Sequence, residues 1–186
     1  MRGWRTAATE TVFEHPLLRV QRRRIERDGE SRRIVAIDAD DWVHVIPLLP
    51  GDRLVLVRQW RYATEGFQLE LPGGIVDELG QDREAAEKEL AEETGYRASE
   101  WLHLGTVEPN PAILDNRLSV WLATGLEHLT AEERPPLDEH EEVEVVEVPL
   151  ASVPELIASG EMRHALMLSS LYLFELHRRR SGPLPP

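Results

Sequence analysis

The segment GGIVDELGQDREAAEKELAEETG, residues 73–95, constrains this chain more than any other. Near its end Glu89, Glu92 and Glu93 stand at i, i+3 and i+4. On an α-helix, with about 100° of rotation per residue, three such carboxylates share an arc of about 100° on one face. Like charges packed this closely repel, so a counter-charge is required. A hard divalent cation meets that need, since Mg²⁺ prefers oxygen ligands and bridges carboxylates to phosphates. Upstream, Gly73-Gly74 suits a tight turn that brings backbone close to a ligand. Ala86, Leu90 and Thr94 form a stripe beside the acidic face, suited to packing inward. The pattern predicts a helix anchored on one side and carrying metal-assisted phosphate chemistry on the other.

The rest of the chain bounds the fold and the location. Its 186 residues suit one domain with at most a small appended element, and 41% hydrophobic content suffices for a core. No apolar run approaches the roughly 20 residues needed to span a bilayer, and MRGWRTAATE lacks a secretory apolar region. A cytoplasmic location is the default. With no cysteine, disulfides and thiolate metal sites are excluded, leaving carboxylate or histidine ligands. The net charge of −13 opposes binding to DNA or RNA but not to a small phosphorylated ligand beside a cation.

Along the chain, the first forty residues read as strands with a hairpin at Asp28-Gly29. Val43–Leu49 and Arg53–Trp60 are strands around the turn Pro50-Gly51-Asp52, and Leu69 and Leu71 belong to a short strand entering a glycine loop. Asp82 is the expected N-cap of a helix over Arg83–Thr94 that Gly95 stops. Trp101–Val107, Arg117–Thr124 and Val143–Val148 are further strands. A short helix over Val153–Ala158 has Ser152 and Glu155 as an expected capping box. A longer helix over Arg163–His177 offers Ala165, Leu168, Leu171, Tyr172 and Phe174 for burial, and the tail SGPLPP is expected to fray. The fold class is therefore α/β with mixed sheets.

The 73–95 segment resembles the signature box of the Nudix hydrolase family. Gly74 opens that pattern, and Lys88-Glu89-Leu90-Ala91-Glu92-Glu93-Thr94-Gly95-Tyr96 closes it. Two positions depart: Gly80 stands where the family has glutamate, and Lys88 where it has arginine. The paired change reads as altered loop support, with Asp77 and Glu78 near enough to compensate and with restoration of both charges expected to be tolerated. LVLVRQWRY followed by LELPGG extends the likeness to the ADP-ribose pyrophosphatase branch, from about Val43 to Leu150. The resemblance implies an α/β/α sandwich over 41–186, preceded by an antiparallel strand region at 1–40 that builds a homodimer and completes the neighbour's nucleotide pocket.

The site residues follow from the same resemblance. It implies that Glu89, Glu92, Glu93 and the Gly73 carbonyl hold two or three Mg²⁺ ions, with Mn²⁺ as a substitute. Arg61 matches a substrate-contacting arginine and Glu70 the glutamate before the glycine turn; Arg22, Arg23 and Arg24, with Trp4, lie where the branch completes its partner's pocket. In the acidic run 138–142, Glu141, or alternatively Glu139, matches a loop glutamate acting as general base or extra ligand. The loop 108–117 departs from the branch, which is richer in Gly and Ser there; Asp115, Asn116 and Arg117 form either a specificity loop or a rigid turn, and Trp60 and Phe67 either stack on a base or belong to the core. The implied reaction splits a nucleoside diphosphate linked to another group, with ADP-ribose giving AMP and ribose 5-phosphate. GDP-mannose or another nucleotide sugar is the alternative substrate. A non-catalytic nucleotide-binding module is the alternative of another class.

Overall fold

Three antiparallel strands, β1 (Arg5–His15), β2 (Leu18–Arg27) and β3 (Glu30–Ala39), open the chain as a sheet in the order β1-β2-β3. The structure is a computed structural model that describes residues 3–76, 80–137 and 142–181. Asp28 and Gly29 both lie in the left-handed region, with φ of 49° and 87°, so the hairpin falls where Asp-Gly places it. A second turn at Pro16-Leu17, absent from the sequence reading, divides β1 from β2. Pro16 lacks the N–H that a continuous ladder needs. The Trp4 ring lies 4.5 Å from both the Arg27 and the Arg32 guanidinium, which ties the start of β1 to the β2–β3 hairpin.

Six further strands form the main sheet: β4 (Trp42–Leu49), β5 (Arg53–Arg61), β6 (Gly66–Glu70), β7 (Tyr96–Val107), β8 (Leu118–His128) and β9 (Val143–Pro149). Their order is β6-β5-β4-β8-β7, with β9 on β5. β4 and β8 run parallel and the other pairs antiparallel, so the sheet is mixed. Strand alternation sends Val43, Val45 and Val55 to one face, where they meet Ala86 and Leu90. These belong to α1 (Asp82–Glu89) and to the π-helical turn Leu90–Thr94 that continues it. Ile46, Leu48, Leu54 and Leu56 face the other way, against Val153 of α2 (Val153–Ala158) and Met167, Leu171 and Phe174 of α3 (Ala165–Ser181). Each such side chain contributes about 1.5–3 kcal/mol on burial, which clamps a helix to each face. The result is the expected α/β/α sandwich.

Several local expectations change. Gln81, not Asp82, is the N-cap, and it makes no side-chain cap bond; Asp82 and Glu84 instead lie in the first turn, where carboxylates favour the helix dipole. The helix is α only to Glu89 before the π turn, and Gly95 ends it in the left-handed conformation at φ 71°. Ser152 forms no capping box, because its hydroxyl donates to the Pro149 carbonyl at 2.7 Å. α3 begins at Ala165, and both Ala165 and Tyr172 are exposed; Met167 and Ser170 take their place on the buried side. β7 begins directly after Gly95 rather than at Trp101. Residues 182–186 of the tail lie outside the described residues. Among the described residues, no helix is long and apolar enough to cross a membrane.

Candidate active site

β6 runs into Leu71-Pro72-Gly73-Gly74, which lies along the edge of β4 opposite β8. Val45 N–H donates to the Pro72 carbonyl at 2.8 Å and Val43 N–H to the Gly74 carbonyl at 2.9 Å. Alternation along this extended segment turns Gly73 the other way. There its N–H donates to Glu93 Oε2 at 2.9 Å. Close approach accounts for both glycines. A Cβ on Gly73 would stand 2.1 Å from the Val43 carbonyl oxygen, and one on Gly74 would stand 2.1 Å from Glu89 Oε1. Glu89 and Glu93 thus flank a turn stripped of side chains.

All three glutamates are buried, with 8%, 7% and 1% of Glu89, Glu92 and Glu93 exposed. Glu89 and Glu93 address the glycine turn, whereas Glu92 Oε2 lies 3.4 Å from Lys88 Nζ. The π winding between them alters the rotation per residue, a distortion found frequently at functional sites. Among the described residues, no three acidic or imidazole side chains stand close enough to form a ready-made ion cage. The donor set still fits a hard divalent cation: buried carboxylates beside backbone that glycine leaves open.

Next to the turn lies a partly buried polar network in which the expected residues Arg61 and Glu70 are joined by His164, His44 and Ser170, which sequence reasoning missed. Arg61 makes two hydrogen bonds to Glu70, from Nε to Oε1 at 3.1 Å and from Nη2 to Oε2. Glu70 is itself buried, and His164 Nδ1 stands 3.7 Å from its Oε2. Burial pushes the Glu70 carboxyl up, but His164 and Arg61 together outweigh burial and hold it at about 2, below its ordinary 4.5. His44, in β4, meets Ser170 Oγ of α3 through Nδ1 at 3.0 Å and faces the His164 ring edge-on. Burial, aided by the His164 charge, lowers His44 from 6.5 to about 4.

Both shifts act in one direction. Between pH 6.5 and 4 the unfolded chain binds a proton at His44 that the folded chain refuses, and between 4.5 and 2 the same holds at Glu70. Each contribution to stability is present above the unfolded value and lost as pH falls. The melting temperature is therefore expected to fall as pH drops from 6.5 toward 4. His44→Gln should flatten that slope, and a slope identical to wild type in thermal melts would refute the assignment.

The other expected site residues are placed as follows. Arg22 pairs with Glu10 at 2.9 Å and Arg24 with Glu26, both inside the N-terminal sheet. Arg23 of β2 pairs with Asp115, and Ile37 N–H of β3 donates to the Ile113 carbonyl at 2.6 Å, so both strands are tied to the 108–117 loop. Asn116 is buried and its Nδ2 donates to the Asp40 carbonyl at 2.9 Å; Arg117 is exposed, with its N–H on Asp41 Oδ1 at 2.7 Å. Trp60 and Phe67 form an edge-to-face pair at 5.2 Å on the surface, which removes them from the core. Glu139 and Glu141 lie outside the described residues, as do Asp77 and Glu78. Gly80 has φ 87°, so a glutamate restored there would be strained, contrary to the tolerance expected from the sequence.

Residues 41–170 match the family model described as the NUDIX domain. The chain is 28% identical over 173 residues to an ADP-ribose pyrophosphatase of Bacillus subtilis (strain 168), covering 92% of each chain. It is 27% identical over 169 residues to the ADP compounds hydrolase NudE of Escherichia coli (strain K12), covering 88% of this chain and 87% of that protein. A crystal structure of an ADP compounds hydrolase superposes with a TM-score of 0.86 over 99% of this chain and 98% of that one, at 24% identity.

Proposed function

The chain belongs to the NUDIX family, and from that premise we propose that it hydrolyses the pyrophosphate bond of ADP-ribose to AMP and ribose 5-phosphate. The observation carrying this reading is the placement of the Glu89 and Glu93 carboxylates against the Gly73-Gly74 turn. Relatives matching nearly the whole chain bear the names ADP-ribose pyrophosphatase and ADP compounds hydrolase. In this reading Glu89, Glu92, Glu93 and the Gly73 carbonyl hold divalent cations, Mg²⁺ with Mn²⁺ as a substitute. Bound there, the cation supplies charge neutralisation and a lowered pKa for a coordinated water. Arg61, fixed by Glu70, presents its guanidinium to the non-bridging phosphate oxygens. Glu141, or Glu139, accepts the proton of the attacking water. Asp115, Arg117 and the loop around them contact the remainder of the substrate.

The test is a panel of ADP-ribose, GDP-mannose and other nucleoside diphosphate conjugates with Mg²⁺, the products separated by chromatography. AMP released from ADP-ribose in preference to the others is the expected result. Cleavage of none of them would sink the reading and favour a non-catalytic nucleotide-binding module.

Residues 1–40 are read as an assembly region and 41–186 as the hydrolase. Val12, Phe13, Leu17 and Val35 are exposed on the N-terminal sheet, and every residue of β1 is exposed. A symmetric homodimer would cover this surface and bring Arg22, Arg23 or Arg24 to the partner's substrate. Light scattering should then give twice the chain mass of 21.2 kDa; the single-chain mass at micromolar concentration would rule the dimer out. The proposed location is the cytoplasm, and cell fractionation tests it.

A further inference from the structure

A helix leaves its last carbonyls without intrahelical partners, and a π turn, bonding i to i+5, leaves one more than an α turn. Here those carbonyls belong to the acidic residues themselves. Arg134 Nη2, which carries two N–H groups, lies 3.1 Å from the Glu92 carbonyl oxygen and 3.2 Å from that of Glu93. We propose that Arg134 is a positioning residue for Glu92 and Glu93, holding the helix end from which both carboxylates project. The proposal rests on the reading of those two glutamates as metal ligands.

The arrangement around Arg134 is built rather than incidental. Its aliphatic stem lies on Gly95, where an added Cβ would come within 3.3 Å of Arg134 Cδ. The Arg134 and Glu133 N–H groups both donate to the Thr130 carbonyl at 3.1 Å, closing a turn. Glu133 Oε2 in return accepts from the Thr130 N–H at 3.0 Å and its hydroxyl at 2.9 Å. Arg97 of β7 braces Glu133 at 3.4 Å, and the Leu129 N–H donates to the Gly95 carbonyl at 2.9 Å. The turn is thus tied to the helix end at Gly95 and to β7 at Arg97. A cation at a helix C-terminus also opposes the negative end of the helix dipole.

Two consequences follow for the site. Glu93 is fixed at both ends, with its main chain on Arg134 and its carboxylate on the Gly73 N–H. Further, Arg134 is followed by Pro135-Pro136-Leu137 and then by the acidic run 138–142. One guanidinium therefore joins the carbonyls of two metal-ligand candidates to the segment that leads into the general-base candidates.

Manganese binding without substrate, followed by electron paramagnetic resonance, tests this on wild type, Arg134→Met, Arg134→Lys and Glu93→Gln. Arg134→Met keeps the stem on Gly95 and removes both donors. Its Mn²⁺ affinity should fall about tenfold, as outer-shell partners of metal ligands typically show. The Mg²⁺ concentration for half-maximal hydrolysis should rise in step, while KM for ADP-ribose at saturating Mg²⁺ holds. Arg134→Lys should fall between Met and wild type, since charge alone is the weaker substitute for the planar fork. Wild-type Mn²⁺ affinity in Arg134→Met overturns the inference. Should that variant not fold, Arg134→Lys decides: a several-fold loss supports the inference and unchanged affinity overturns it. If Glu93→Gln binds Mn²⁺ as wild type does, the metal reading itself fails and the Arg134 inference with it.

Discussion

Glu93→Gln is expected to stay folded and to lose more than about 10²-fold in turnover, beyond the loss typical of outer-shell partners. The substitution removes a ligand charge with little change of volume. Its amide oxygen can still accept the Gly73 N–H that Glu93 Oε2 now receives at 2.9 Å, so the turn should hold. Glu92→Gln should also fall steeply, and it weakens the ion pair with Lys88, now 3.4 Å from the Glu92 carboxylate. Steady-state kinetics across a Mg²⁺ titration separates the two effects. A lost ligand lowers the plateau and raises the half-saturating Mg²⁺, whereas lost packing lowers the melting temperature. Turnover of Glu93→Gln within about twofold of wild type would remove the metal assignment.

What the sequence makes legible here is local. Three glutamates at helical spacing, two glycines before them and the Ala86, Leu90 and Thr94 stripe all sit within one stretch of chain, and all three of the stripe residues are buried. β4 and β5 show equally well, because each packs apolar side chains on both faces and so reads as a near-continuous apolar run. The π turn does not show, since nothing in LAEET separates an i+4 from an i+5 ladder. The Thr94 hydroxyl donates to the Leu90 carbonyl, a side-chain bond of the kind that competes with the regular helix pattern. Ser152 fails as a cap for a related reason, its hydroxyl being engaged by the preceding turn.

The parts of the site that stayed hidden are long-range. His44 and Ser170 are 126 positions apart, and Arg23 and Asp115 are 92 apart. No spacing rule reaches that far. His44 did carry a faint signal, a polar residue amid the buried run of β4. A buried polar group needs a partner, and that partner comes from another element. Arg134 carried none, because its contacts are to main-chain carbonyls that any sequence supplies.

The glycine turn offers a second large effect, and its two positions should respond differently. Gly73→Ala places a methyl 2.1 Å from the Val43 carbonyl oxygen, a main-chain atom fixed in the sheet. Relief requires moving the turn off β4, and overpacking of this kind costs about 1–3 kcal/mol or more. Gly74→Ala meets Glu89 Oε1 at the same 2.1 Å, but that atom is the end of a side chain that can swing away. The backbone should therefore survive and the site should not. Gly73→Ala is expected to melt several degrees lower and lose activity. Gly74→Ala should melt near wild type yet lose activity and Mn²⁺ affinity together, because the carboxylate it displaces is one of the expected ligands. The decisive comparison is thermal melting beside Mn²⁺ titration for the two variants. Full activity in Gly74→Ala would show that the position of Glu89 does not matter to the reaction, and equal loss of stability in both would show that Glu89 has no freedom to yield.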